Sequence, residues 1–250
     1  MSSCCPPASW PYATAPTDYT PLGTESSLDD ALPIYTSLPA SNPAPKAAVI
    51  VLPEVFGWAG RLKGICDSLA KEGYLAIMPD CHRGDTANGK ADVVSWVSTF
   101  PWEGRVKEDF SALFSHLSSL GVTRVCSIGF CWGSWANSKA ASEGLALACC
   151  VGAHPSVKLE EFAFKADQAA LLRKVGCPML LLLASNDDPK LKKDGELGSI
   201  VVGAGGEVVE FADMTHGWMS RGDIGDEAVK RDVLKGFDLA LPFLKKHCPV

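Results

Sequence analysis

The run Gly129-Phe130-Cys131-Trp132-Gly133 is the first place in this sequence where residue types and spacing suggest chemistry. It reads G-x-C-x-G, the pattern in which small residues flank a nucleophile on a tight strand-to-helix turn. At a helix N-terminus, Cys131 would meet the positive end of the dipole, which favours a thiolate. The rival reading is one more buried cysteine, and the string alone is weak. A nucleophilic thiol needs a base, and elbow enzymes supply Asp and then His later in the chain. Asp187 and Asp188 follow the apolar run Met179–Ala184, and His216 follows Glu207–Phe211. His216 would take the thiol proton and protonate the leaving group, while the Asp would fix its tautomer and stabilise the imidazolium. The two aspartates are hard to separate; Asp187, closer to the strand end, is preferred. The other four histidines fit less well. His116 falls in a helical pattern, His247 at the C-terminus, and His82 and His154 follow strands too early in the chain order.

The loop after Ala47–Leu52 is Pro53-Glu54-Val55-Phe56-Gly57-Trp58. In elbow enzymes this loop gives one oxyanion-hole N–H and the residue after the nucleophile gives the other. Here those are the backbone amides of Val55 and Trp132, and such preset donors are usually the largest catalytic contribution. Glu54 stands out, because a carboxylate beside an oxyanion hole opposes the charge formed there. Surface exposure is the bland alternative for it. A second motif competes: Gly84-Asp85-Thr86-Ala87-Asn88-Gly89-Lys90 matches the start of a P-loop. Ala91 replaces the hydroxyl residue that would hold magnesium, and the loop begins too far from the strand end. A nucleotide-binding protein is therefore disfavoured.

These residues need elements to position them. Short apolar runs bounded by Gly, Pro or Asp predict buried strands at Ala47–Leu52, Tyr74–Met78, Val122–Ile128, Leu145–Val151, Pro178–Ala184 and Glu207–Phe211, preceded by a short strand at Leu32–Leu38 within an irregular stretch. Between them, helices are expected over Arg61–Glu72, Arg105–Leu120, Ser134–Glu143 and Ala228–Lys246, with Pro242 kinking or ending the last. Alternation of this kind predicts an α/β protein, a mostly parallel central sheet with helices on both faces. Ligands in such sheets sit outside the carboxyl ends of the strands. Residues 1–30, rich in Pro, Ser and Thr, read as an irregular N-terminal arm, and 31–250 as a single domain.

The chain has 250 residues, with 23 Lys plus Arg against 29 Asp plus Glu. That acidic balance argues against nucleic acid as a partner. No apolar stretch reaches the roughly 18 residues of a membrane span. The N-terminus lacks the basic and apolar regions of a secretory signal, so a cytoplasmic, reducing location is expected. Ten cysteines are then mostly structural thiols: Cys126, Cys149, Cys150 and Cys177 lie in apolar runs, and none has zinc spacing.

The strings Leu52-Pro53-Glu54-Val55-Phe56-Gly57, Met78-Pro79-Asp80, Gly129-Phe130-Cys131-Trp132-Gly133 and His216-Gly217 together resemble the dienelactone hydrolase family of the α/β-hydrolase fold. The similarity runs from about Leu32 to the C-terminus. It implies hydrolysis of cyclic enol-lactones or related small esters (the carboxymethylenebutenolidase reaction), without a cofactor or metal. Carried over, Cys131 is the nucleophile, His216 the base and Asp187 the orienter. Glu54 would hold the resting thiol until substrate releases it to the histidine. The family's substrate-carboxylate arginines fall near Arg83 and Arg221, each displaced by about one residue. Phe56, Trp58, Trp132 and Trp218 flank catalytic positions and would make an aromatic pocket, unless they pack the core. The partner expected is a small-molecule ester or lactone, bound by a monomer or alternatively a homodimer. A non-catalytic ligand-binding relative is the remaining rival, against which the complete triad argues.

Overall fold

Strands covered on both faces must be apolar along their whole length, and the strands at the centre of this protein are. In the computed structural model, which describes residues 5–13, 19–29, 31–40 and 42–250, every residue of β3 (Ala47–Leu52), β4 (Leu75–Pro79) and β7 (Met179–Ala184) is buried. They are joined by β5 (Arg124–Phe130), β6 (Leu147–Ala153) and β8 (Glu207–Phe211). An antiparallel pair, β1 (Thr24–Leu28) and β2 (Leu32–Ser37), completes the sheet on one side. The order is β1-β2-β4-β3-β5-β6-β7-β8, and from β4 to β8 all neighbours are parallel. The sheet is thus mostly parallel, as expected. β1 is a departure: it lies inside the stretch expected to be irregular, and its pairing with β2 supplies the partner that an apolar pattern would not have signalled, since four of its five residues are exposed. Residues 1–4, 14–18 and 30 of the expected arm lie outside the described residues.

The period-two alternation of each strand divides the interior into two cores. Ala48, Ile50 and Leu52 of β3 face one, and Ala47, Val49 and Val51 face the other. The same division separates Leu181 and Leu183 from Leu180, Leu182 and Ala184 on β7. On the first face lie α2 (Val93–Val97), α3 (Lys107–Ser119), α4 (Trp132–Ser142), α5 (Leu159–Phe162) and α6 (Gln168–Arg173), with α7 (Glu196–Gly203). The second face is covered by α1 (Leu62–Lys71), preceding β4, and by α9 (Glu227–His247), after the short α8 (Trp218–Arg221). Leu62, Ile65 and Leu69 of α1 recur at helical spacing and are all buried, each contributing on the order of 1.5–3 kcal/mol.

One helix behaves differently from its sequence expectation. Pro242 neither ends nor breaks α9, which continues to His247. Pro242 and Asp238, whose carbonyl loses its partner, are both exposed, so water can take the place of the missing N–H. Among the described residues, no helix is long and apolar enough to cross a membrane.

Candidate active site

The site is built where β3, β5, β6, β7 and β8 end. Cys131 occupies the single position between β5 and α4, with φ 52° and ψ −111°, a conformation costly for any residue but glycine. Its surroundings impose it. The Cys131 N–H donates to the Ala153 carbonyl at 3.1 Å, and the Cys131 carbonyl accepts from Ser134 N–H at 3.0 Å and Ser156 N–H at 3.1 Å. The flanking glycines are sterically required. A Cβ at Gly129 would lie 2.2 Å from the Gly133 oxygen, and one at Gly133 would lie 2.2 Å from the Leu52 oxygen. The G-x-C-x-G spacing is therefore the condition for packing the elbow against β3.

The loops after β7 and β8 bring the other two groups in. His216 Nδ1 lies 2.6 Å from Asp187 Oδ1, with both side chains buried. The second Asp187 oxygen accepts the Ala184 N–H at 2.7 Å. Asn186 Oδ1 accepts the His216 N–H at 2.7 Å, stitching the two loops together. Asp188 points elsewhere, and its carboxylate accepts the Lys190 N–H and caps a short turn at Pro189–Leu191. Cys131 Sγ is 3.3 Å from Ser156 Oγ. The sulfurs of Cys5 and Cys131 and a ring nitrogen of His216 all lie within 4.8 Å of one another. Burial would push the His216 pKa down, but the charges of Cys131 and Asp187 outweigh it and hold the imidazole well above its ordinary value.

The two residues expected to form an oxyanion hole, Val55 and Trp132, hold equivalent places beyond their strands. Leu52 pairs with Gly129 across β3 and β5, so Val55 and Trp132 each stand three residues beyond a paired position. Glu54 is buried at 1% exposure, which excludes the surface alternative for it. Its carboxylate accepts Arg221 Nε at 2.9 Å on both oxygens and also accepts from Ser220 Oγ. Arg221 is the largest correction to expectation. Instead of offering its fork to a substrate, it is committed to Glu54 and to the backbone carbonyls of Trp10 and Pro11. Arg83 is likewise occupied: Nη1 and Nη2 each donate to Asp109 at 2.5 Å, and Nε donates to the Ala31 carbonyl. In both cases a nearby carboxylate already satisfies the planar guanidinium.

The aromatic residues divide. Trp132 is fully buried beside His82, ring centroids 4.5 Å apart. Phe56 is half-buried, with the Arg221 guanidinium 4.7 Å above its ring and Tyr12 edge-on to it. Trp58 is half-buried under the Lys63 ammonium. Trp218 is a core residue: its ring lies 4.5 Å from Phe211, and a Cβ at Gly236 of α9 would come within 2.8 Å of it. It anchors α9 rather than lining the site.

Two further histidines are part of the neighbourhood. His154, at the end of β6, lies edge-on to His216 at 4.9 Å, and its Nε2 is 3.3 Å from Ser220 Oγ. Burial, with the charges of His216 and Arg221, holds it well below the ordinary histidine value. His82, packed among Trp96, Phe100 and Trp132, is pushed down to about 3, chiefly by burial. Their position just after strands is the signal in the sequence, and chain order sets them aside.

The N-terminal arm crosses this site as a strap. The Trp10 N–H donates to the His216 carbonyl at 2.9 Å, Asn186 Nδ2 donates to the Pro7 carbonyl at 2.9 Å, and the Gly60 N–H donates to the Ala13 carbonyl at 2.9 Å. Cys131 and His216 are both fully buried.

A family model of the dienelactone hydrolases matches residues 32–248. The chain belongs to the dienelactone hydrolase family. A relative from Escherichia coli K12, provisionally described as a carboxymethylenebutenolidase, is 35% identical over 113 residues, covering 43% of this chain and 42% of the relative. The match thus spans less than half the length of that curated relative. An AIM2 family protein of Schizosaccharomyces pombe is 26% identical over 98% of this chain and 99% of its own. A Klebsiella pneumoniae structure, provisionally described as a dienelactone hydrolase, superposes with a TM-score of 0.68 at 20% identity, covering 87% of this chain and 97% of its own. The fold is that of the α/β-hydrolases.

Proposed function

We propose that this protein hydrolyses small carboxylic esters or lactones through a Cys131–His216–Asp187 triad. The observation that carries the reading is the 2.6 Å contact between His216 and Asp187, formed with His216 beside a thiol on a family elbow. Cys131 Sγ attacks the carbonyl carbon while its proton passes to His216. Asp187 keeps Nδ1 occupied and stabilises the imidazolium, and the Val55 and Trp132 amides receive the oxyanion. Collapse expels the alkoxide, protonated by His216, and leaves a thioester on Cys131. Water, deprotonated by His216, then attacks that thioester and releases the acid.

Because both arginine forks are occupied, neutral esters and lactones fit the site better than acid-bearing ones. Glu54 sits in an ion pair with Arg221, which lowers the cost of a buried carboxylate near the oxyanion hole. The test is a panel of neutral aryl esters, thioesters and carboxylate-bearing dienelactones run on wild type and Cys131→Ala. Hydrolysis is expected to fall by roughly 10⁴-fold or more in the variant, with neutral substrates preferred in wild type. Full activity in the variant would overturn the mechanism, and ester binding without turnover in wild type would favour a receptor.

A further inference from the structure

The strap brings a second thiol to the nucleophile. Cys5 Sγ lies 4.0 Å from Cys131 Sγ, although 126 residues separate them. A disulfide needs about 2.05 Å, so one sulfur must advance by about 2 Å. Cys131 is fixed by the elbow. Cys5 is half-buried on irregular chain, two residues before the Pro7 carbonyl that ties the strap to Asn186. It can advance without unpairing a strand or unwinding a helix.

We propose that Cys131 and Cys5 form a hydroperoxide-responsive dithiol, in which Cys131 is oxidised first and Cys5 resolves it into a reversible disulfide that locks the strap over the catalytic centre. The proposal rests on the reading of Cys131 as a thiol activated by His216. In the first step, the Cys131 thiolate attacks the terminal oxygen of a hydroperoxide. The O–O bond breaks, Cys131 becomes a sulfenic acid, and the alkoxide or hydroxide leaves with a proton from His216. In the second, the Cys5 sulfur attacks the sulfenyl sulfur. The S–O bond breaks, and water departs carrying the Cys5 proton. The two thiols lose two electrons in total, and the peroxide gains them.

A second thiol pair in the same protein makes an internal comparison. Cys150 and Cys177 lie 3.9 Å apart, at nearly the same separation. Contact between them raises the pKa of the Cys150 thiol and lowers that of the Cys177 thiol; what sets Cys131 apart is the His216 ring nitrogen within 4.8 Å of its sulfur, on a strand-to-helix elbow. The metal alternative for Cys5, Cys131 and His216 is also concrete, since two thiolates and an imidazole suit a zinc ion.

The experiment uses the full chain, reduced and then exposed to stoichiometric hydrogen peroxide at neutral pH. The expected result is loss of two hydrogens by mass, a Cys5–Cys131 cross-linked peptide, and loss of ester hydrolysis restored by dithiothreitol. Cys5→Ser should keep its hydrolysis before oxidation and form no cross-link. Stoichiometric peroxide should then leave it with a dimedone-reactive sulfenic acid that dithiothreitol reduces. Excess peroxide should carry that sulfur on to a sulfinic acid and to inactivation that dithiothreitol does not reverse, whereas the wild-type disulfide stays reducible. The proposal is overturned if the cross-link falls on Cys150–Cys177, if Cys5→Ser treated with excess peroxide recovers as wild type does, or if the purified protein carries zinc whose chelation unmasks activity. A protein that cross-links as described yet hydrolyses no ester would sink the hydrolase reading alone. One that hydrolyses esters without cross-linking would sink the dithiol alone.

Discussion

His216 touches an anion on one side and stands beside an ionisable thiol on the other, and that placement decides its proton affinity. Burial favours the neutral ring, yet Asp187 and Cys131 together win and raise its pKa well above the usual value. Removing the ring therefore removes both a base and a countercharge. In His216→Ala, alkylation of Cys131 by iodoacetamide at pH 7 is expected to slow by roughly ten- to a hundredfold. An unchanged alkylation profile would mean that His216 does not assist the thiol. The convergence of Cys131, Asp187 and His216 is legible in the sequence because each follows an apolar run, in the chain order that an elbow arrangement uses. Arg83 and Arg221 mislead for an equally physical reason. An arginine's position says that a carboxylate fits there, but not whether that carboxylate belongs to a substrate or to Asp109 and Glu54.

At the level of elements, the elbow depends on an absence of side chains. A methyl group at Gly133 would collide with the backbone of β3 at Leu52, where no flexible atom can give way. Gly133→Ala is expected to cost about 1–3 kcal/mol or more, seen as a lower urea midpoint and a loss of hydrolysis together. Gly203→Ala serves as the control: it sits at the exposed end of α7 with open space around its Cβ position. It should be neutral or stabilising by up to about 1 kcal/mol. Equal losses at both positions would show that close approach is not what Gly133 provides. The central strands are legible because burial on two faces leaves unbroken apolar runs. β1 is not, because its stabilisation comes from hydrogen bonds to β2 and not from its own hydrophobicity. Pro242 misleads because helix breaking depends on where the freed carbonyl points, which only the packed structure of α9 decides.

At the scale of the whole molecule, two buried histidines tie stability to pH. His82 and His154 are both held neutral by burial, with their proton affinity lowered in the folded state. Below the unfolded histidine value of about 6.5, the unfolded chain binds these protons and the folded chain does not. Stability therefore falls as the pH drops below that value, with a slope of up to about 1.4 kcal/mol per pH unit for each histidine. His82→Leu should flatten this slope by about one proton in urea titrations between pH 6.5 and 4.5, and an unchanged slope would exclude His82 as a contributor. The strap bears on the molecule as a whole in another way. Its ties run from Pro7 to Ala13 and end on residues from four separate loops and helices. The first described residue, Cys5, lies 4.0 Å from the Cys131 sulfur, so a tag added at the N-terminus is expected to disturb ester hydrolysis more than one added at the C-terminus, a difference that assaying both tagged forms reads.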